Sequence, residues 1–375
     1  MITLRLLFAM LPLLLTGIGR AEEVYSAGRS GKAELRFIDT IPVAIFEGTP
    51  QELGEQHSAL LGKTSKELLK FQKRLFANFD AEFFYPFAVS AGKTLLLNAP
   101  LDYQREIAAA TAGAGLEGDA VAVTNTLLEL RRVGCSSLIV ESERSATGEL
   151  LFGRNFDFPP FGILDRYGLV KVIRPTGKHA YAEVGFPGLM GVVSGMNSAG
   201  LCVATLDVYD TADGSLHFDP KGVPMMLTFR QILEECATVA EAEALLKRTP
   251  ATTQANLAVA DRKLGVVFEI TPKQVARRVA ERGLVPCTNH FRTQGLTTGE
   301  TCWRYDRLQQ AQQESKLGVT EIQRHLHDAN QGEFTLHTMI FEPRELVIHL
   351  ALGHPPSSGQ NLHRLELREL LEEVR

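Results

Sequence analysis

Leu53, Leu60, Leu61, Leu68, Leu69, Leu75 and Phe76 recur at i, i+7 and i+8 spacings and mark the apolar face of a long helix over 49–79. Thr49-Pro50-Gln51-Glu52 opens it with a capping hydroxyl, a proline at the first helical position and a reciprocal glutamate. Gly62 is where this helix is expected to break. A second helical pattern starts after Gly118-Asp119, with Asp119 as N-cap, and runs to about Arg132. From Cys135 the period changes to that of strands: 136–141, a turn at Ala146-Thr147-Gly148, then 149–156. More strands are expected at 169–173, 191–196 and 201–208, the last two joined by Asn197-Ser198-Ala199-Gly200. Helix returns over 224–248, strands over 255–260 and 265–271, and one or two helices over 305–329. Thr335–Phe341 and Glu345–Leu352 form a hairpin through Glu342-Pro343-Arg344. A helical front third followed by sheets with helices between them predicts an α+β fold.

With 375 residues, 45% of them hydrophobic, the chain is long enough for one large core or two ordinary ones. Its beginning carries a separate signal. Leu6 to Leu15 form an apolar run after Arg5, and Gly19 and Ala21 flank a cut before Glu22, the pattern of a cleaved signal peptide over 1–21. The run is shorter than the ~20 residues a membrane span needs, so a secreted or periplasmic product without stable membrane insertion is expected. Loss of Arg5 and Arg20 takes the formal charge from -5 to -7, and no dense basic stretch offers a surface for nucleic acid. Five cysteines, at 135, 202, 236, 287 and 302, show neither a CxxC pair nor a His/Cys cluster of zinc spacing, so neither a metal nor another cofactor is expected. An odd count leaves at least one thiol free if the others pair, and Cys135 is the candidate; Cys202 and Cys236 read as small buried residues.

Cys135 stands in Gly134-Cys135-Ser136-Ser137, at the junction of the second predicted helix and the first strand of the hairpin, an accessible place for a reactive group. The missing Cβ of Gly134 lets the thiol approach the preceding carbonyl. Attack there and hydrolysis of the thioester would free Cys135 as a new N-terminus. Its α-amine, with a reference pKa of about 7.7 to 8.0, would serve as base to its own thiol. Gly153-Arg154-Asn155-Phe156-Asp157 lies on the strand expected to pair with it. Strand alternation puts Arg154 and Asp157 on opposite faces, so a bend at Asp157 is needed for both charges to converge. Asn197, in a tight turn, is either a residue that tolerates left-handed backbone or an oxyanion donor. Cys287-Thr288-Asn289-His290-Phe291 offers Asn289 as a second donor and His290 as the base of an alternative Cys135/His290 dyad. Thr301-Cys302-Trp303-Arg304-Tyr305-Asp306-Arg307 opens a helix with Arg304, or Arg307 one turn on, facing the site. Phe158 and Phe161, in Phe158-Pro159-Pro160-Phe161, either line an acyl pocket or pack a loop.

These segments, with Phe46-Glu47-Gly48-Thr49-Pro50 and Gly54-Glu55-Gln56-His57 before them, resemble in order the acyl-CoA:6-aminopenicillanate acyltransferase family, peptidase family C45, within the choloylglycine-hydrolase and acid-ceramidase group of N-terminal nucleophile hydrolases. The resemblance runs from about residue 37 to 355. It implies a four-layer αββα sandwich and processing between Gly134 and Cys135, giving an α-rich chain 22–134 and a catalytic chain 135–375 that stay associated. By motif it assigns nucleophile and base to Cys135, charge support to Arg154 and Asp157, oxyanion roles to Asn197 and Asn289, and a stabilising role to Arg304. It implies a linear acyl amide as substrate, with hydrolysis (an amidohydrolase) favoured over N-acyl transfer, since CoA thioesters are scarce outside the cytoplasm. A non-catalytic module binding acylated ligands is the reading from another class.

Overall fold

The computed structural model describes residues 24–78, 82–126 and 134–372, and for residues 73–78 the backbone alone. The expected signal segment, the end of the first helix and the stretch just before Gly134 lie outside the described residues. Strands β1 (Gly28–Ser30), β2 (Ala33–Ile38) and β3 (Ile41–Gly48) lead into helices α1 (Pro50–Asn78), α2 (Tyr85–Leu96), α3 (Leu101–Ala114) and α4 (Gly118–Asn125). Then come β4 (Cys135–Val140), β5 (Leu151–Asp157), β6 (Leu169–Pro175), β7 (Tyr181–Gly185), β8 (Ser194–Asn197) and β9 (Cys202–Asp207). Helices α5 (Met225–Glu235) and α6 (Val239–Arg248) precede β10 (Ala255–Ala260), β11 (Gly265–Ile270), β12 (Val275–Val279) and β13 (Leu284–Cys287). The chain closes with α7 (Trp303–Gln309), α8 (Val319–Asp328), β14 (Thr335–Glu342), β15 (Val347–Leu352), β16 (His363–Glu366) and α9 (Arg368–Leu371).

The strands make two sheets, ordered β1-β2-β3-β6-β7-β8-β9-β10-β11-β12 and β13-β4-β5-β14-β15-β16. They face each other: Arg154 Nε on β5 donates to Ser194 Oγ on β8 at 2.9 Å. Gly265 is small because Ile139 of the other sheet would stand 2.3 Å from a β-carbon there. Helix α8 covers the outer face of the second sheet, where Asn155 Nδ2 donates to the Leu326 carbonyl at 2.7 Å. Helix α5 covers the outer face of the first, with Leu233 against Gly195 and Met226 against Gly191. The α+β class and the four αββα layers are therefore as the sequence implied. Strands β4, β5, β10 and β11 are buried along their whole length on both faces, and β10 and β11 accordingly read as mostly apolar runs.

The front third departs from the helical expectation. Strands β1 to β3 precede α1, and β3 pairs in parallel with β6 (Val43 opposite Val170), which weaves residues 28–48 into the larger sheet. The capping box at the start of α1 forms as expected, with Thr49 N donating to Glu52 Oε2 at 2.7 Å and Glu52 N to Thr49 Oγ1 at 3.4 Å. Gly62 does not break α1. It lies where Ala114 of α3 would meet a β-carbon at 2.7 Å, and Gly54 faces the Glu106 carbonyl in the same way, so both glycines let two helices close on each other. Asp119 is inside α4 rather than its cap, and pairs with Lys93 at 2.6 Å.

A buried charge cluster joins α3 to the first sheet and α5. Arg230 bonds Glu106 (2.5 Å) and Glu234 (2.7 Å), Tyr103 OH donates to Glu234 at 2.9 Å, and Lys171 pairs with Glu183. His57 accepts from Gly188 N–H at 3.2 Å beside this cluster. Burial first, and then the charges of Lys171 and Arg230, hold its pKa down at about 3. Between that value and the unfolded reference near 6.5 the folded chain binds fewer protons, so stability is lost as pH falls through this window. The urea midpoint is expected to drop between about pH 7 and about pH 4, and His57→Gln to flatten that dependence; an unchanged slope in the variant contradicts the assignment.

Candidate active site

The site is assembled at one end of the β4-β5 pair, where Cys135 stands opposite Phe156. Cys135 is only 1% exposed, so the accessible junction expected from the sequence is a buried one. Its backbone is gripped on both sides. The amide N–H donates to Asn289 Oδ1 at 2.7 Å, and the carbonyl accepts from Arg304 Nη1 at 2.5 Å. Arg304 Nη2 closes the ring by donating to the same Asn289 oxygen at 2.9 Å. Both partners come from the β13–α7 stretch: Asn289 follows β13, which pairs with β4 through Cys287 opposite Ser137, and Arg304 lies in the first turn of α7. Arg304 is buried while Arg307 is exposed, which decides between the two arginines.

Phe156 and Arg154, two residues apart on β5, face the space between the sheets with Cys135. The Arg154 guanidinium lies 5.5 Å from the Phe156 ring centroid, and its two Nη groups are buried without a conventional hydrogen-bond partner. Burial pushes the Cys135 thiol above its ordinary pKa; Arg154 pulls it down and Asp157 pushes it up, so both charges act on this sulfur. The bend expected from strand alternation is not in β5: the irregularity beside Asp157 lies on the partner strand, where Leu336 is the extra residue. The β5–β14 register slips between Thr335 and His337, opposite Asp157. There Asp157 receives Thr335 Oγ1 on Oδ1 at 2.6 Å and Gln331 Nε2 on Oδ2 at 2.9 Å, with Arg304 Nη1 at 3.8 Å. Burial raises the Asp157 pKa, and these donors oppose it. The Asp157 N–H also donates to the carbonyl of Gly134 at 3.2 Å.

Asn197 is elsewhere. Its amide hydrogens go to the carbonyls of Leu233 (2.9 Å) and Cys236 (2.7 Å), and its oxygen takes the N–H groups of Ala199 and Leu201. The turn it organises ends at Gly200, which packs under the Pro343 carbonyl in the β14–β15 turn, at the far end of the second sheet from Cys135. The oxyanion role expected of Asn197 is corrected to that of a turn and helix anchor. Asn289 also differs from expectation: its oxygen holds Cys135 N–H and Arg304, and its Nδ2 donates to the Asp207 carbonyl at 2.7 Å. His290 turns away from Cys135 to Glu300, Nε2 to Oε2 2.9 Å.

An aromatic wall leads from Cys135. Phe156 stacks on Phe158 at 6.1 Å, Phe158 meets Phe161 edge-on at 6.1 Å, and Phe186 lies 6.0 Å from Phe156. Phe158 and Phe161 pack into the hydrophobic core beside Phe156, whereas Phe156, Phe186, Gln331 and Thr335 escaped the sequence reading. Phe156 is a spacer between the charged residues of its motif, and Thr335 opens a strand whose pattern does not mark its hydroxyl; Phe186 and Gln331 sit in stretches with no short-range signal. All five cysteines are free and buried, so no disulfide removes any of them. Among the described residues no group of three or more His, Cys, Asp or Glu side chains converges to hold a metal, and no helix is long and apolar enough to cross a membrane.

Cys302 is the second unusual thiol. Burial alone would raise it, but His290, Thr288, the Tyr305 backbone and the charge of Arg304 bring it down to about 6, whereas Cys236 and Cys287 are pushed up to about 12 by burial. Brief alkylation near pH 7, mapped by mass, should modify Cys302 before Cys202, Cys236 and Cys287; uniform labelling of the four would contradict this.

Residues 144–357 match the family described as acyl-coenzyme A:6-aminopenicillanic acid acyl-transferase. The match begins after Cys135 and takes in Arg154, Asp157, Asn289, Arg304 and Gln331. An uncharacterized protein of Archaeoglobus fulgidus is 24% identical over 266 residues, which are 62% of this chain and 44% of that protein, so the chain spans under half the length of this relative. Among solved structures, a variant of the conjugated bile acid hydrolase from Clostridium perfringens aligns with a TM-score of 0.47 and 14% identity, over 63% of this chain and 93% of that one. The Caenorhabditis elegans ortholog of N-acylethanolamine-hydrolyzing acid amidase aligns with a TM-score of 0.45 and 18% identity, over 62% and 100%. Penicillin V acylase from Agrobacterium tumefaciens aligns with a TM-score of 0.40 and 12% identity, over 62% and 86%.

Proposed function

This chain belongs to the acyl-coenzyme A:6-aminopenicillanic acid acyl-transferase family, and from that we propose that it is a self-processing cysteine amidase, which cuts itself before Cys135 and hydrolyses a linear acyl amide through a Cys135 thioester. The observation that carries the reading is the grip on Cys135: both backbone polar groups held by Asn289 and Arg304, with the Gly134 carbonyl held by Asp157 N–H. In self-cleavage, Cys135 Sγ adds to the Gly134 carbonyl carbon as the thiol proton leaves. The developing oxyanion sits where Asp157 N–H already donates. Collapse breaks the Gly134–Cys135 C–N bond, the proton passes to the departing nitrogen, and a thioester remains. Water then adds to that thioester and releases the Gly134 carboxylate and the free Cys135.

In turnover the new α-amine, on the nitrogen facing Asn289 Oδ1, takes the thiol proton as Sγ adds to the substrate carbonyl. It returns the proton to the leaving amine, and water resolves the thioester to the acid. With Asn197 committed to a turn, the buried Nη groups of Arg154 are the donors assigned to the substrate oxyanion. The wall of Phe156, Phe158 and Phe161 suits an apolar acyl chain. Hydrolysis rather than transfer follows if the chain is exported, and export is part of the proposal, resting on the apolar run at Leu6–Leu15.

Strands β1 to β3 inside the larger sheet and the buried Glu106–Arg230 pair support the cut chains staying together, since breaking one partner of such a pair costs about 3–5 kcal/mol. Intact mass under denaturing conditions, with N-terminal sequencing, tests the cleavage. The wild-type chain should give fragments 22–134 and 135–375, about 12 and 26 kDa out of 41.2 kDa, and Cys135→Ala a single chain. Two intact chains would overturn the reading, and a first fragment beginning at Met1 would remove the export claim. Arg154→Met should lower kcat roughly 10²–10³-fold, the loss seen for one oxyanion donor; a change below about twofold on cleaved enzyme would give the oxyanion to another group.

A further inference from the structure

We infer that Gln331 is a positioning residue for self-cleavage, and that residue 134 is glycine because the Gln331 carboxamide fills the space a side chain there would need. The inference rests on the self-cleavage proposed above.

A β-carbon on Gly134 would stand 1.8 Å from Gln331 Nε2, 2.8 Å from its Cδ and 3.0 Å from its Oε1, so the whole carboxamide lies over the Gly134 Cα. From there Nε2 reaches Asp157 Oδ2 at 2.9 Å. Gln331 holds Asp157 by a second route: its backbone N–H donates to Thr335 Oγ1 at 2.9 Å, and that hydroxyl donates to Asp157 Oδ1 at 2.6 Å. Both carboxylate oxygens therefore have a donor traceable to Gln331, which fixes the carboxylate plane. The backbone of the same Asp157 donates to the scissile carbonyl at 3.2 Å. Gln331 is aimed by a tight turn after α8, where Gly332 has a positive φ of 60° and its N–H bonds Asn330 Oδ1 at 2.7 Å.

The steric and electrostatic parts are linked. The far end of a glutamine is flexible, so an alanine at 134 would not be excluded outright. It would push the carboxamide away from Asp157 Oδ2 and leave that oxygen short of a donor. Because Gln331 bonds the charged form, its loss lets burial raise the Asp157 pKa further. A purely structural glutamine would change stability without moving the pH dependence of cleavage.

The full chain is made by cell-free translation and the loss of the intact species followed over pH for wild type, Gln331→Met, Gln331→Asn, Gln331→Ala, Gly134→Ala and the Gly134→Ala/Gln331→Ala pair. Gln331→Met and Gln331→Asn should each cleave roughly tenfold or more slowly, the loss expected for one hydrogen bond to a charged group, and their acidic limb should move to higher pH. Gly134→Ala should be severe in the wild-type background but cost under about twofold when added to Gln331→Ala, because the contact it disturbs is already gone. If wild type cleaves and both Gln331 variants match it in rate and acidic limb, the inference is overturned while self-cleavage stands. Equal Gly134→Ala costs in the two backgrounds overturn the steric part. If wild type does not cleave, the parent reading fails and this one with it.

Discussion

The Arg304 guanidinium touches the Cys135 carbonyl and the Asn289 oxygen at once, while Asn289 takes the Cys135 N–H, and this three-cornered grip fixes the end of β4 to the β13–α7 stretch. An arginine suits the place because its planar fork offers two donors in one rigid geometry. The grip needs three things from the fold. Strand β13 must pair beside β4 so that Asn289 emerges next to Cys135. Helix α7 must begin where its first turn meets that edge. Asn289 must be held from behind, which Asp207 at the end of β9 does through its carbonyl. The site is thus pinned by both sheets, with the register of β13 against β4 setting where the loop that carries Asn289 begins.

The same packing creates the chemical tension at Cys135. Burial raises the thiol pKa and also that of Asp157, so the chain holds a neutral thiol near a carboxyl group that burial disfavours as an anion. Arg154 and Arg304 supply the compensating positive charge, and the Arg154 side chain also hydrogen-bonds the Cys135 thiol. Elsewhere buried charges are closely paired, as in the Arg230 cluster, which ties the front of the chain to the catalytic sheets.

Much of this was legible in the sequence where local rules act. The capping box at Thr49, the β4–β5 pairing that sets Cys135 beside the Arg154–Asp157 strand and the hairpin at Pro343 follow from short-range pattern. Asn197 was misread because a turn asparagine and an oxyanion asparagine look alike in one dimension. Only the partners on α5, brought in by tertiary packing, tell them apart. Gly62 was taken for a helix break when its cause lies on α3, out of reach of any local window. Gln331 left no signal, since its distance to Gly134 is set by how α8 packs across the second sheet. Strands β1 to β3 went unread in a segment whose helices carried the stronger periodicity.

The central claim is that the acyl group passes through Cys135 at the head of its own chain. Acid-quenched enzyme turning over an N-acyl amine, digested and analysed by mass, addresses it directly. The account predicts an acyl adduct on the peptide that begins with Cys135, and neither adduct nor turnover in Cys135→Ala. Hydrolysis surviving in Cys135→Ala, or an acyl group found on another residue, would contradict it.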